Sequence, residues 1–449
     1  MIVIMEKSAY NTRYIIFISF VSALGGYLFG FDFAVIAGAL PFLREQFGLN
    51  EYWEGFTTGV LALGCIAGCL LAANVSEQYG RKSSLMLAAA IFAISSLAMA
   101  MSVNLTMFIV FRFVAGIGVG MASMLSPMYI AEVAPAPIRG RMVAINQLTI
   151  VLGILVTNLV NYSLRNQGTD AWRWMFGLGV LPSAIFFTGV LFLPESPRWL
   201  LNNGQADKAK KILAAIGDAG FVQTSVQSFS QSITQDKKIN YRAAFLPKYL
   251  PAILVGIGLA VFQQFCGINV VFNYTSNIFE SIGASKDDQL LQTVFIGGVN
   301  VVFTIMAMLL VDKVGRKPLM LLGAAGLTIL YITIAYLLGI KSPAASIYLL
   351  AAIGLYATTL APVTWVLISE IFPTEVRSAA TSIAVICLWA AYFILVFTFP
   401  ILEKILGGTQ NTFYLYAVIC AVGFIFIKLK VKETKGKTLE EMEGIFGGH

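Results

Sequence analysis

Apolar runs recur along the chain at 14–40, 56–75, 84–103, 107–131, 142–163 and 174–193, then at 250–279, 291–311, 318–340, 346–370, 379–402 and 411–430. Each is about the length that one helical crossing of a bilayer requires, roughly 20 residues. The pattern predicts an all-α membrane protein of twelve transmembrane helices in two six-helix bundles. It divides the chain into an N-terminal bundle (1–193), a polar linker (194–248), a C-terminal bundle (249–431) and a tail (432–449). Within the linker, Ala206, Ala209, Ile212, Leu213 and Ile216 fall at helical spacing beside charged positions. This predicts short amphipathic helices on the membrane surface, acting as a solvated connector.

One run breaks the apolar rule. Between Gly256 and Phe279 the sequence places Gln263, Gln264, Asn269, Asn273 and Tyr274 in otherwise lipid-compatible surroundings. On a helix Gln263, Gln264 and Asn273 or Tyr274 share a broad face, and Gly267 would loosen the helix midway. Polar groups at bilayer depth must face protein or a wet cavity. Two readings fit: amides that bond helix to helix, or amides that line a cavity and offer donors and acceptors to a neutral polyhydroxylated solute.

Composition and charge narrow the choice. The 449 residues are 58% hydrophobic and 12% charged, about half the charged share of a soluble protein. The net charge of +7 does not point to nucleic acid, because the cations lie between apolar runs and form no basic block. Arg81, Lys82, Arg139, Arg141, Arg198, Lys208, Lys237, Lys238, Lys313, Arg316, Lys317, Arg377, Lys428 and Lys430 share one side, against Arg44, Arg165, Lys286, Lys341 and Lys404 opposite. That asymmetry predicts both termini and the linker in the cytoplasm. The five cysteines lie inside apolar runs, suggesting neither disulfides nor a metal site, and the one histidine is His449. Residues 14–40 are too long for the apolar core of a cleaved signal.

Three acid/base motifs repeat. Glu77-Gln-Tyr-Gly-Arg81-Lys82 recurs 235 residues on as Asp312-Lys-Val-Gly-Arg316-Lys317. Glu132 to Arg139 recurs 238 residues on as Glu370 to Arg377, and Glu195-Ser-Pro-Arg198 is echoed by Glu433-Thr-Lys435, again 238 on. A shared offset means two homologous halves. Their carboxylates and cations are expected to pair across the halves as a cytoplasmic gate, beyond the topology role that cations alone would serve. Asp32 and Arg112 are ionisable at membrane depth, and an unpaired charge there is costly, so they are expected to pair.

Together these stretches resemble the sugar porter family of the major facilitator superfamily over essentially the whole chain. The resemblance rests on Gly25 to Asp32, Arg112 to Glu132, Pro194 to Trp199, Gln263 to Asn269, Asp312 to Lys317 and Pro362 to Arg377. Within the family the chain is similar to bacterial xylose–proton symporters and to facilitative glucose carriers. The resemblance implies sugar contacts from Phe29, Gln147, Gln263, Gln264, Asn269, Asn300, Trp365 and Trp389, and proton coupling at Asp32 beside Arg112. Asn273 stands where the family has the first of two tyrosines, leaving Tyr274. Ala361 replaces a glycine before Pro362, Leu388 and Tyr392 occupy positions that are often polar, and Ile154 resembles the glucose carriers.

The expected function is therefore transport of a neutral monosaccharide by alternating access, with a proton, by a monomer that needs no cofactor. A facilitative uniporter is the alternative. A carrier-like sensor is disfavoured by the short stretch after residue 430, and an enzyme by the lack of a catalytic histidine, nucleophile motif or metal-ligand cluster.

Overall fold

A computed structural model describes residues 10–235, 245–373 and 376–435, apart from the side chains of 230–235, 311, 312, 369 and 378. Lys237, Lys238, the side chain of Asp312, and residues 436–449 with His449 lie outside it. Among the described residues, twelve helices are long and apolar enough to cross a membrane: Thr12–Phe47, Glu51–Tyr79, Arg81–Ala100, Leu105–Val133, Ala136–Leu164 and Gly168–Leu191, then Leu250–Asn273, Lys286–Leu310, Arg316–Gly339, Ala345–Ile368, Ala379–Leu406 and Thr409–Lys430. They are called the first to the twelfth helix below. The chain is a multi-pass membrane protein.

Several helices outrun their apolar windows because caps, and not hydropathy, end them. The first continues to Phe47, where Gly48 at φ 60° closes it with its N–H on the Arg44 carbonyl. Asn11, Asn50, Asn104 and Ser285 each accept a backbone N–H of the first turn that follows, a cap that relieves an orphan donor. Breaks also go beyond hydropathy. The seventh stops at Phe265, resumes as Ile268–Asn273 and turns again into Thr275–Ser281. The tenth breaks between Thr358 and Leu360, with Pro362 in the first turn of its second piece, where no helical N–H is needed. In the first half, the first helix packs on the fifth and the second on the fourth; between halves, the second meets the eleventh and the fifth meets the eighth.

The linker forms Pro197–Asn202, Ala206–Ile216 and Ala219–Gln235. Ala209, Leu213 and Ile216 are buried, the face that the spacing predicted. Tyr10, just before the first helix, bridges to Gly217 and sets its ring edge-on to Phe221 at 5.4 Å.

The repeated motifs build the same structure twice. Glu195 accepts backbone N–H bonds from Arg81 (2.9 Å), Lys82 (3.2 Å) and Ser196 (2.8 Å). Glu433 accepts them from Arg316 (3.0 Å), Lys317 (2.9 Å), Thr434 (3.0 Å) and Lys435 (2.9 Å). Gly80 and Gly315, at φ 90° and 105°, open these cradles, and a Cβ on either would run into the carboxylate. Arg81 pairs with Glu132 at 3.0 Å and Arg316 with Glu370 at 3.2 Å, while Ser196 and Thr434 each donate to those glutamates at 2.5 Å. Arg139 and Arg377 donate to the carbonyls of Ala134 and Phe372, and Trp199 to the Glu77 carbonyl. The pairing across halves that the sequence predicts belongs to the state with the cytoplasmic side shut, while these pairs lie within a half. The reason is local: each arginine follows a helix that packs beside the one carrying its glutamate.

The two cradles differ in titration. Burial pushes the Glu195 carboxyl up despite its N–H donors, whereas Glu433, more open, is held below the ordinary glutamate value because four N–H bonds outweigh burial. A lowered carboxyl contributes stability that is lost as pH falls through its folded value; a raised one costs stability at neutral pH, and that cost is relieved as pH falls. Acidification is therefore expected to loosen the Arg316–Lys317 turn while Arg81–Lys82 stays protected. Hydrogen exchange of those amides from pH 7 down to about pH 3, below the ordinary glutamate range and corrected for intrinsic rates, checks this. Equal loosening at both turns would contradict it.

Candidate substrate site

The break in the seventh helix makes the site. Gly267 takes φ 85°, and the amides on either side of it turn toward one another. Gln264 Nε2 donates to Gln263 Oε1 at 2.9 Å, Asn269 Nδ2 donates to Gln264 Oε1, and Asn273 Nδ2 donates to the Asn269 carbonyl at 2.7 Å. Tyr392 of the eleventh helix extends the chain, donating to Asn273 Oδ1 at 3.1 Å. All four amides are buried, and Asn300 in the eighth helix is too. Phe29 of the first helix meets Trp389 of the eleventh at 5.7 Å, edge to face, so aromatic rings from both halves close one side of this region.

Not every residue singled out in the sequence joins that chain. Tyr274 is wholly buried and donates to the Val396 carbonyl at 2.8 Å, so its hydroxyl is engaged within its own half. Gln147 is half-buried on the fifth helix, and Trp365, in the second piece of the tenth, keeps 45% of its surface accessible. Leu388 and Ile154 are buried and apolar, which leaves the amides as the polar lining.

Asp32 and Arg112 do come together. Arg112 Nη1 lies 3.7 Å from Asp32 Oδ1, with both side chains only 1% exposed. Neither carboxylate oxygen accepts a hydrogen bond from the described residues, and the guanidinium sits 5.6 Å from the Phe176 ring. This is a buried charge pair held at a distance, without the hydrogen bonds that usually offset its desolvation.

Between this level and the face opposite the linker, the halves are in contact. Phe33 meets Phe272 and Tyr392, Ser276 donates to the Ala37 carbonyl at 2.9 Å, and Asn158 donates to the Thr293 carbonyl at 2.7 Å. Asn277 donates to Glu54 at 2.5 Å, and Glu54 also takes two bonds from Arg44. The sequence reading missed Glu54, Arg44 and Asn277 as a group. The signal available was a carboxylate, Glu54, just ahead of an apolar run. On the linker side of Trp389, by contrast, Cys69, Gln147 and Val385 retain accessible surface.

The family model of the sugar (and other) transporters matches residues 18–446. The chain belongs to that family. Among curated relatives, the D-xylose-proton symporter of Escherichia coli is 38% identical, over 98% of this chain and 97% of its own. The glucose transport protein of a Synechocystis strain is 37% identical, over 97% and 98%. Among solved structures, the inward open conformation of the xylose transporter XylE from E. coli superposes with a TM-score of 0.85 at 36% identity, covering 96% of this chain and all of that one. The chain has the major facilitator fold that the family resemblance implied, with the twelve helices that the hydropathy pattern predicted.

Proposed function

We propose that this protein carries a neutral monosaccharide, a pentose or hexose such as xylose or glucose, across the cell membrane in symport with a proton. Both termini and the linker lie in the cytoplasm, following the cation asymmetry, and a single chain suffices. The observation that carries the reading is the buried chain Gln263–Gln264–Asn269 beside the Phe29–Trp389 rings. Amides match sugar hydroxyls in both donor and acceptor sense, and rings cover the C–H faces. Gln147, Asn300 and Trp365 complete the set from the fifth, eighth and tenth helices. The only charges described at that depth are the mutually neutralising Asp32 and Arg112, which argues against phosphorylated sugars and organic anions. Relatives named for xylose and for glucose at nearly equal identity support the substrate class without ranking its members.

Mechanically, the site is sealed on the outer side and approached from the cytoplasm, and rocking of the halves would exchange the two accesses. Contacts on the outer side and the likeness to an inward open relative support this. Arg81, Arg139, Glu132, Glu195, Arg198 and Glu77, with Arg316, Glu370 and Arg377, then form two clusters that would meet when the cytoplasmic side closes, and Asp312 is assigned to the second by the sequence repeat alone.

The test is counterflow of labelled monosaccharides in proteoliposomes. Gln264→Ala removes the amide that bonds both neighbours and is expected to raise the half-saturation concentration about tenfold to hundredfold, with a smaller change in maximal rate. If no neutral sugar exchanges, or if Gln264→Ala leaves every exchanged sugar unaffected, the reading fails. The rival is facilitative uniport, favoured by one observation: a pair as buried as Asp32–Arg112 can serve packing alone.

A further inference from the structure

At the outer face, four ion pairs of described residues cross between the halves. Arg44 pairs with Glu280 at 3.1 Å, Glu45 with Lys286 at 3.1 Å, Glu51 with Lys404 at 2.9 Å, and Arg165 with Asp287 at 3.1 Å. In each, one residue ends a helix of the first half and the other ends a helix of the second. The cation comes from the first half in two pairs and from the second half in the other two. Neither half thus carries a one-sided charge to this face through these contacts. At the cytoplasmic face, the pairs Arg81–Glu132 and Arg316–Glu370 remain inside a half.

We infer that these four pairs form an ionic latch that sets how far the carrier rests with its outer side closed. Glu54 is its inner anchor. It is 5% exposed, it holds Arg44 through two bonds, and Asn277 of the second half reaches it at the end of the broken seventh helix. The latch is thereby joined to the broken seventh helix that carries the amide chain. Exposed pairs contribute little to folding, since each competes with water and salt. A conformational balance is a different quantity, because all four pairs separate together when the outer side opens. Each then shifts the open-to-closed ratio by roughly twofold to fivefold, and the set by on the order of tenfold to several hundredfold. Such a latch weakens as salt screens it.

This inference rests on the alternating-access reading, but its test needs no sugar. Hydrogen exchange of the full chain in nanodiscs, followed in peptides covering 44–54 and 274–288, reads outer opening directly. Lys286→Glu sets a carboxylate against Glu45 and is expected to speed exchange there severalfold, as is raising salt from about 0.02 M to about 0.5 M. Adding Glu45→Lys restores the pair with its charges reversed. The swap suits the helix ends, placing a cation near the C-terminus of the first helix and an anion at the N-terminus of the eighth. Lys286 and Glu45 are 63% and 60% exposed, so neither substitution disturbs the core. Slow exchange regained in the double variant supports the latch. Exchange that ignores Lys286→Glu and salt, or a double variant as loose as the single one, overturns it. Counterflow run beside it reports separately whether the chain carries sugar.

Discussion

Asp32→Asn is expected to abolish uphill sugar accumulation while leaving sugar exchange running. A carrier that moves one proton per sugar can concentrate its substrate about tenfold per unit of pH difference, because one unit corresponds to about 1.4 kcal/mol. Asparagine has the shape of the protonated carboxyl and cannot cycle its charge. The accumulation ratio under an imposed pH gradient should therefore fall to one. The geometry supports Asp32 as the site of loading: its partner stands 3.7 Å away, and no described donor bonds its oxygens. Such a carboxylate is stabilised by Arg112 in one arrangement and strongly penalised by burial if the distance grows. The substitution also strands Arg112, which can cost about 3–5 kcal/mol, so the folded fraction must be measured by size-exclusion chromatography beside uptake. Unchanged, gradient-dependent accumulation by Asp32→Asn would remove Asp32 from coupling. A wild-type chain that exchanges sugar but ignores the gradient would establish uniport.

Much of the architecture was readable from hydropathy because membrane spans are long and their apolar signal is strong. The repeats were equally legible, since Arg81 and Arg316, or Glu132 and Glu370, keep one spacing and come to occupy one geometry twice. Their pairing was not readable. Whether Arg81 meets a glutamate of its own half or of the other depends on packing between the second and fourth helices, which no local pattern specifies. The amides of the seventh helix stood out because their polarity conflicts with their surroundings. Their mutual bonding did not, since it needs the turn at Gly267 that takes Asn269 out of the helical register. Tyr274 illustrates the limit: its type suited a sugar contact, yet the structure engages its hydroxyl on Val396. The outer ion pairs hid in plain view as the minority cations of the topology count, because exposed charges at helix ends have no periodicity to mark their partners.

Gly267→Ala should damage both folding and transport. At φ 85° an alanine is forced into the left-handed region, at about 1–2 kcal/mol. Its Cβ would also lie 2.6 Å from the Tyr416 ring, which is itself buried against Tyr331 and Phe413 and has little room to move. Crowding a packed core adds about 1–3 kcal/mol. The chain can avoid both costs only by straightening the seventh helix, and that withdraws Asn269 from Gln264 and dismantles the amide chain. The expected outcome is a loss of about 2–5 kcal/mol, read as a lower midpoint of thermal unfolding in detergent. Counterflow should fall more than the remaining folded fraction explains. A comparable substitution without these constraints gives the contrast: Gly298, on the eighth helix, has open space where a Cβ would stand, so Gly298→Ala should leave both unfolding and exchange close to wild type. Should Gly267→Ala behave like Gly298→Ala, the break in the seventh helix would not be what assembles the site.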